Sequence, residues 1–394
     1  MNAHAAIEAD FLTQHAAFDE GALTSQLRRL IQARSVNPDN GEHEVAAEIS
    51  RALAGFDCEV HRVQSLPGRE SIAAVVSGGT SGPRIVLNGH MDTVGVDDTA
   101  EWQAGPFAGE TIDGYVYGRG ACDMKGGLTI MLALGSVIAQ ARNSLTGELI
   151  LHFAIGEERA EPGTASLLDA GFGGDVGIVV EPSRLAVSIA QRGVAYYDIT
   201  IQGVACHAGF PKAGRNPLAD LPAVLEVLRA YENEISARQH PLLPPPTSTP
   251  TIVRAGSQPN SVPGECSITV DRRLLPGEDP EKELATLRAR LAHLPDVDIA
   301  LREFYFRPAE VSADSGVVQL LSSSSARVQG HAPELVGAPY ATDCSVLISK
   351  GKMEAVVFGP GNPAECHCVN ERISQTQLRT GALILANAVV KFLS

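Results

Sequence analysis

The chain has 394 residues, too many for one ordinary hydrophobic core, so two domains are the default expectation. It is 44% hydrophobic and 20% charged, the balance of a soluble globular protein. A formal charge of −15 repels nucleic acid and anionic membrane, which excludes both as expected partners.

The N-terminal stretch "MNAHAAIEADFLTQHAAFDE" lacks a basic region followed by an apolar block, so it does not read as a secretory signal. After it, "EHEVAAEISRALAGF" has the apolar spacing of an amphipathic helix. "SIAAVVSGG" and "RIVLNGHMDTV" read as strands. "KGGLTIMLALGSVIAQAR" reads as a mostly buried helix, and no apolar run reads as long enough to span a bilayer. "GELILHFAIGEE" reads as a strand that runs into the Glu157–Glu158 pair. "GTASLLDAGF" is a short helix and "DVGIVVEPS" another strand. Strands alternating with helices point to an α/β fold with an open, largely parallel sheet covered on both faces. Ligands of such sheets sit at the carboxyl ends of the strands.

The pattern changes near Leu185. "AVSIAQRGVAYYDITIQG" has β character. A helix is expected from Asn216, with Pro217 in its first turn. "QHPLLPPPTSTP" reads as a loop, "TIVRAGSQ" and "GECSITVDRRLL" as strands, "EDPEKELATLRARLAHL" as a helix and "DVDIALREFYF" as a strand. That order, βαββαβ, is the ferredoxin-like arrangement. From about Pro308 the α/β character returns, ending in the helix "ISQTQLRTGALILANAVVKFL". The expected organisation is a discontinuous metal-binding catalytic domain, residues 1–186 and 307–394, with residues 187–306 inserted as a lid and dimerisation domain.

The seven cysteines are odd in number and form no disulfide framework, so a reduced, cytoplasmic setting fits best. Cys366 and Cys368 flank His367, but no second cysteine cluster completes a soft-metal site, and both read as packing residues.

Chemistry-bearing residues gather at the predicted strand ends. His90 and Asp92 close "LNGHMDTV". Asp123 stands in the Gly-rich turn "YGRGACDMKGG". Glu157 and Glu158 end "AIGEE", Glu181 lies in "VVEPS", and His367 follows the last strand in "FGPGNPAECH". Adjacent carboxylates beside an apolar core are costly without a compensating cation. This set of imidazole and carboxylate donors suits catalytic zinc, cobalt or manganese. It exceeds the needs of one four-coordinate ion and suffices for two ions sharing a carboxylate. Such a site polarises a carbonyl and acidifies a water.

The blocks "GHMDTV", "GRGACDMKGG", "GEE", "EPS", "CHAGFPKAGRNP" and "CHCVNE" resemble, in order, those of the di-zinc aminoacylase and carboxypeptidase family. That family contains acetylornithine deacetylase, succinyl-diaminopimelate desuccinylase and glutamate-releasing carboxypeptidases. The resemblance covers nearly the whole chain. It implies two divalent ions, with His90 and Glu181 on one, Glu158 and His367 on the other, and Asp123 bridging. It implies Glu157 as general base and then acid, and Asp92 as the partner that holds the His90 tautomer. Extended geometry would turn Glu158 to the metals and Glu157 to the water side, or a local bend would let both reach the cluster.

In the lid, His207 resembles the oxyanion donor, often supplied by a partner subunit. Arg273 and Asn260 match positions that contact the substrate carboxylate. Read without the family, Arg273 is a surface ion-pair residue and Asn260 simple turn chemistry. Thr342, in "YATDCSVL", and Gly361 are further substrate-binding candidates. Cys206 and Cys366 stand where alanine is commoner, and Asn370 where aspartate is frequent.

The resemblance therefore implies a hydrolase that cleaves the amide bond of an N-acyl amino acid with a free carboxylate, working as a homodimer through the lid. A dipeptidase or carboxypeptidase of the same family is the alternative. A non-catalytic metal-binding protein on this fold would be expected to lack Glu157 or a ligand, and all are retained. "GRGACD" lacks the third glycine of a dinucleotide fingerprint, and no P-loop, Gly-x-Ser-x-Gly or His-Glu-x-x-His motif is present.

Overall fold

The computed structural model describes residues 15–37, 41–96 and 99–394, so the reading of the extreme N-terminus falls largely outside the described residues. The chain divides into two compact units. One comprises Met1–Ile189, Val311–Val336 and Thr342–Ser394, the other Ala190–Glu310 and Gly337–Ala341.

The first unit is built on a mixed sheet. At its centre the strand Thr80–His90 runs parallel to Thr146–Ala154 on one side and Val176–Val179 on the other, and Glu354–Val357 continues the parallel set. Beyond Thr146–Ala154 lie two antiparallel strands, Arg69–Ser77 and then Glu59–Leu66. Beyond Glu354–Val357, Val187–Gln191 also pairs antiparallel, through Val357 and Ser188. The sheet is therefore mixed rather than largely parallel. The outer strand was illegible in sequence because Glu59–Val63 is almost wholly exposed and carries no apolar alternation.

The central strands are continuous apolar runs because both faces are covered. Ile85, Leu87, Leu149, Leu151 and Ile178 face one core. That core includes the helices Gly126–Ala141 and Gln375–Leu393. Val86, Ile150 and Val179 alternate to the other face and meet Leu347 of the short helix Cys344–Ser349. The segment Ala121–Ser144 is long and apolar enough to cross a membrane by length and composition, contrary to the sequence reading, but 83% of its apolar window is buried as core. Gly127 explains how this helix seats so closely: a Cβ there would lie 2.2 Å from the Val180 carbonyl oxygen.

The second unit has the antiparallel strand order Thr247–Ala255, Glu265–Leu274, Gly193–Gln202, Val297–Leu301. Helices Leu221–Ile235 and Pro280–Leu291 contribute Leu228, Tyr231 and Leu287 to its core. The helix expected from Asn216 is instead two pieces. Asn216 caps a single turn, Pro217–Ala219, through Leu218 N–H, and the α-helix begins at Leu221. The proline-rich loop is shorter than expected, because Thr247–Pro250 already belong to a strand.

Candidate metal centre

The carboxyl ends of the parallel strands deliver the site. His90 is the last residue of its strand, Glu181 lies two residues beyond Val176–Val179, and His367 follows Glu354–Val357. Asp123 sits in the turn before Gly126–Ala141 with an extended backbone, φ −119° and ψ 96°. The glutamate pair does not continue its strand. The strand ends at Ala154, Gly156 turns at φ 73°, and Glu157–Arg159 form one helical turn. Of the two expected geometries, the local bend is the one found, and it brings both carboxylates to the cluster.

His90 is buried, and its Nδ1–H donates to the Asp92 backbone carbonyl at 2.9 Å. Its Nε2 then faces three carboxylates: Asp123 Oδ1 at 3.1 Å, Glu181 Oε1 at 3.2 Å and Glu157 Oε2 at 3.9 Å. His367, held at φ 60°, repeats the arrangement, with Nε2 3.1 Å from Asp123 Oδ2 and 3.1 Å from Glu158 Oε2. Asp123 thus spends one oxygen on each imidazole.

A lone-pair nitrogen aimed at carboxylate oxygens requires a cation between them. Protons can serve. Burial opposes charging His90, but Glu181, Asp123 and Asp92 outweigh it and its pKa lies well above the usual value. Hydrogen bonds to Asp123 and Glu158 hold His367 up to about 10. Burial, with the neighbouring Asp123, pushes Glu181 up to about 7, and burial pushes Glu157 and Glu158 above the usual carboxylate range. Divalent ions satisfy the same geometry and relieve the carboxylate crowding. The donor sets His90, Asp123, Glu158 and His90, Glu157, Glu181 each lie within 4.8 Å, close enough to hold a metal ion.

Asp92 does more than was expected of it. The nearer partner of His90 Nδ1 is its backbone carbonyl, with its carboxylate at 3.4 Å. The carboxylate itself accepts the backbone N–H of Glu157 at 3.1 Å and of Glu158 at 3.3 Å. It therefore shapes the turn that presents the pair.

Glu371 was missed as a site residue, although it ends the quoted block "CHCVNE". It is fully buried and accepts Gly120, Cys122 and Asp123 N–H at 3.1, 2.9 and 3.0 Å. Its remaining partner is the Arg119 guanidinium at 2.7 Å. It fixes the turn that carries Asp123.

Thr342 is buried beside Asp343, whose carboxylate accepts the Thr164 hydroxyl at 2.7 Å. Gly361 has φ 99°, and a Cβ there would lie 2.6 Å from the Cys122 sulfur, so the backbone at this position favours glycine. In the second unit, Asn260 receives Ala208 N–H on its carbonyl at 2.9 Å, next to the pairing of His207 with Ser261. His207 is exposed, and its Nδ1 accepts Gly209 N–H at 2.9 Å, which leaves the proton on Nε2. Arg273 is gripped by Asp271, with contacts of 2.7 and 3.0 Å.

Fold and site together describe an α/β protein with a candidate carboxylate–imidazole metal centre at the ends of its parallel strands. The sequence profile of peptidase family M20/M25/M40 matches residues 86–391. The chain belongs to this family and is a hydrolase of amide or peptide bonds. It is 30% identical to acetylornithine deacetylase of Myxococcus xanthus, over 88% of this chain and 90% of that protein. It is 27% identical to N-formyl-4-amino-5-aminomethyl-2-methylpyrimidine deformylase of Bacillus subtilis, over 83% of this chain and 84% of that one. Its fold matches a dinuclear metal-binding M20 peptidase of Bacillus subtilis with TM-score 0.69 at 18% identity, covering 96% and 99% of the two chains.

Proposed function

We propose that the protein hydrolyses the amide bond of an N-acyl amino acid, using two divalent ions, most simply zinc, with cobalt or manganese as substitutes. The observation that carries this reading is the division of the Asp123 carboxylate between His90 and His367. His90 and Glu181 would hold one ion, His367 and Glu158 the other, and Asp123 both. When bound, the ions supply the positive charge that polarises the scissile carbonyl and acidifies water.

The chain's own residues do the rest. Glu157 takes the proton of the attacking water and returns it to the leaving nitrogen, a task that suits a carboxyl whose pKa burial has raised. Asp92 holds the Glu157 backbone in place. His207, with its proton on Nε2, is the donor to the developing oxyanion, supplied through a homodimer of the second unit. Asn260 and Arg273 would orient the substrate carboxylate. A reduced cytoplasmic setting belongs to the same reading.

The grip of Asp271 on Arg273 favours a second reading, in which the released amine carries no carboxylate and the substrate is a simple N-formyl or N-acyl amine. The deformylase and deacetylase relatives are consistent with N-acyl cleavage in either form. A hydrolysis screen decides. It would set N-acetyl, N-succinyl and N-formyl amino acids beside N-formyl amines and dipeptides, with zinc, cobalt or manganese added. Chelator-sensitive release from the N-acyl amino acids supports the first reading. Release from dipeptides alone would place the protein among the peptidases.

A further inference from the structure

Four side chains outside the metal centre form one continuous chain of hydrogen bonds that ends on Asp92. Arg69 Nε donates to Glu42 Oε2 at 2.8 Å, and its Nη1 donates to Glu161 Oε2 at 2.5 Å. Asn37 Nδ2 lies 3.3 Å from the same Glu161 oxygen and 3.0 Å from Asp92 Oδ2. The Arg69, Glu42 and Glu161 side chains are only 11%, 6% and 11% exposed.

The arrangement is built from several sides. Asn37 N–H donates to the Thr93 carbonyl at 3.0 Å, and Thr93 N–H to the Ser35 carbonyl at 2.8 Å, which lays this segment along Asp92. Glu161 N–H donates back to the Gly156 carbonyl at 2.9 Å. A Cβ on Gly156 would lie 2.2 Å from the Glu161 carboxylate, so only glycine lets Glu161 fold over the turn. Two carboxylates sharing one amide group would repel. Arg69 offsets the Glu161 charge, while Asp92 accepts the Glu157 amide on Oδ1 and both Asn37 and the Glu158 amide on Oδ2.

We propose that Glu161, clamped by Arg69 against Glu42, is a positioning residue that acts through Asn37 and Asp92 to fix the Glu157–Glu158 turn. This rests on the reading of Glu157 as proton shuttle and Glu158 as ligand. The competing account is a buried ion cluster that merely ties the helix Glu42–Leu53 to the sheet. The two differ in what they couple to. A positioning chain moves metal affinity and turnover together, while a structural tie moves folding stability alone.

The test uses full-length protein reconstituted with cobalt(II), comparing Glu161→Ala, Glu161→Gln and Glu157→Gln. Glutamine keeps an oxygen for Asn37 and Arg69, and alanine does not. In Glu161→Ala the weaker of the two cobalt equivalents should bind about 10–100-fold less tightly, with an altered visible band. Turnover of the best substrate should fall on the same scale with KM little changed. Glu161→Gln should recover most of both. Wild-type cobalt affinity and spectrum in Glu161→Ala would overturn the proposal, as would equal failure of both Glu161 variants with a matching drop in melting temperature. Glu157→Gln separates the shuttle role of Glu157 from the positioning role of Glu161. If it turns over normally, the reading of Glu157 fails. If it is inactive while Glu161→Ala behaves as wild type, only the positioning role fails.

Discussion

His367 Nε2 lies 3.1 Å from Asp123 Oδ2, the oxygen that His90 does not use. Asp123 thereby lies between the two halves of the proposed centre, one oxygen toward each imidazole. Asp123→Ala should lose both ions, whereas His90→Ala should chiefly weaken one. Elemental analysis after reconstitution and gel filtration checks this. Equal single-ion loss in the two variants would show that Asp123 does not bridge.

Glu371 receives three backbone N–H groups and the Arg119 guanidinium in a fully buried position. Glu371→Ala leaves Arg119 as an uncompensated buried charge, a loss of about 3–5 kcal/mol. Denaturant unfolding of the metal-free variant should show a deficit of that order. A variant within about 0.5 kcal/mol of wild type would show that the turn holds itself.

His152 offers a pH signature separate from the metal centre. It is fully buried, its Nε2–H donates to the Phe172 carbonyl at 2.8 Å, and burial holds its pKa down to about 4. An unfolded histidine titrates near 6.5. Between those values the unfolded chain binds a proton that the fold refuses, so stability falls as pH drops from about 6.5 to about 4. The window is worth about 3 kcal/mol, at about 1.4 kcal/mol per unit. His152→Gln, which keeps an N–H for Phe172, should lose less stability than wild type between pH 7 and 4.5 in urea unfolding of metal-free protein. Parallel losses would remove His152 as a cause.

A His207 supplied by a partner subunit predicts complementation. Chains carrying His207→Ala and chains carrying Glu157→Ala should each be inactive, and dissociating and reassociating them together should restore up to roughly a quarter of wild-type turnover, since random pairing gives half mixed dimers with one intact site each. No recovery, with mixed dimers confirmed by native mass spectrometry, would place the action of His207 within its own chain.

The site was largely legible because its side chains stand where apolar runs stop. His90 ends a buried strand, Glu157, Glu158, Glu181 and His367 each follow one, and that pattern is local. What escaped was held by distant partners. Glu371 reaches Arg119 and the Asp123 turn across about 250 residues of sequence. Glu161 meets Arg69 across 92 residues and Asn37 across 124. No periodicity announces such pairs. The choice between an extended pair and a local bend stayed open in the sequence, since "FAIGEE" has the composition of a strand, and the φ of 73° at Gly156 decides for the bend. The extra strand Val187–Gln191 in the first sheet was hidden for a related reason: its apolar pattern runs on into Gly193–Gln202 with a single residue between them.

The opening of the glutamate pair into two roles is the centre of this account, and metal content measured beside turnover, across a zinc titration, tests it most directly. Glu157→Gln keeps size and polarity but cannot take the water proton. It should bind two ions per chain while turnover falls by about 10²–10⁴-fold or more. Glu158→Gln exchanges an anionic donor for a neutral one. It should bind the second ion weakly, and excess zinc should partly restore its turnover. Equal metal loss in the two variants, or rescue of Glu157→Gln by added zinc, would contradict the assignment of shuttle and ligand.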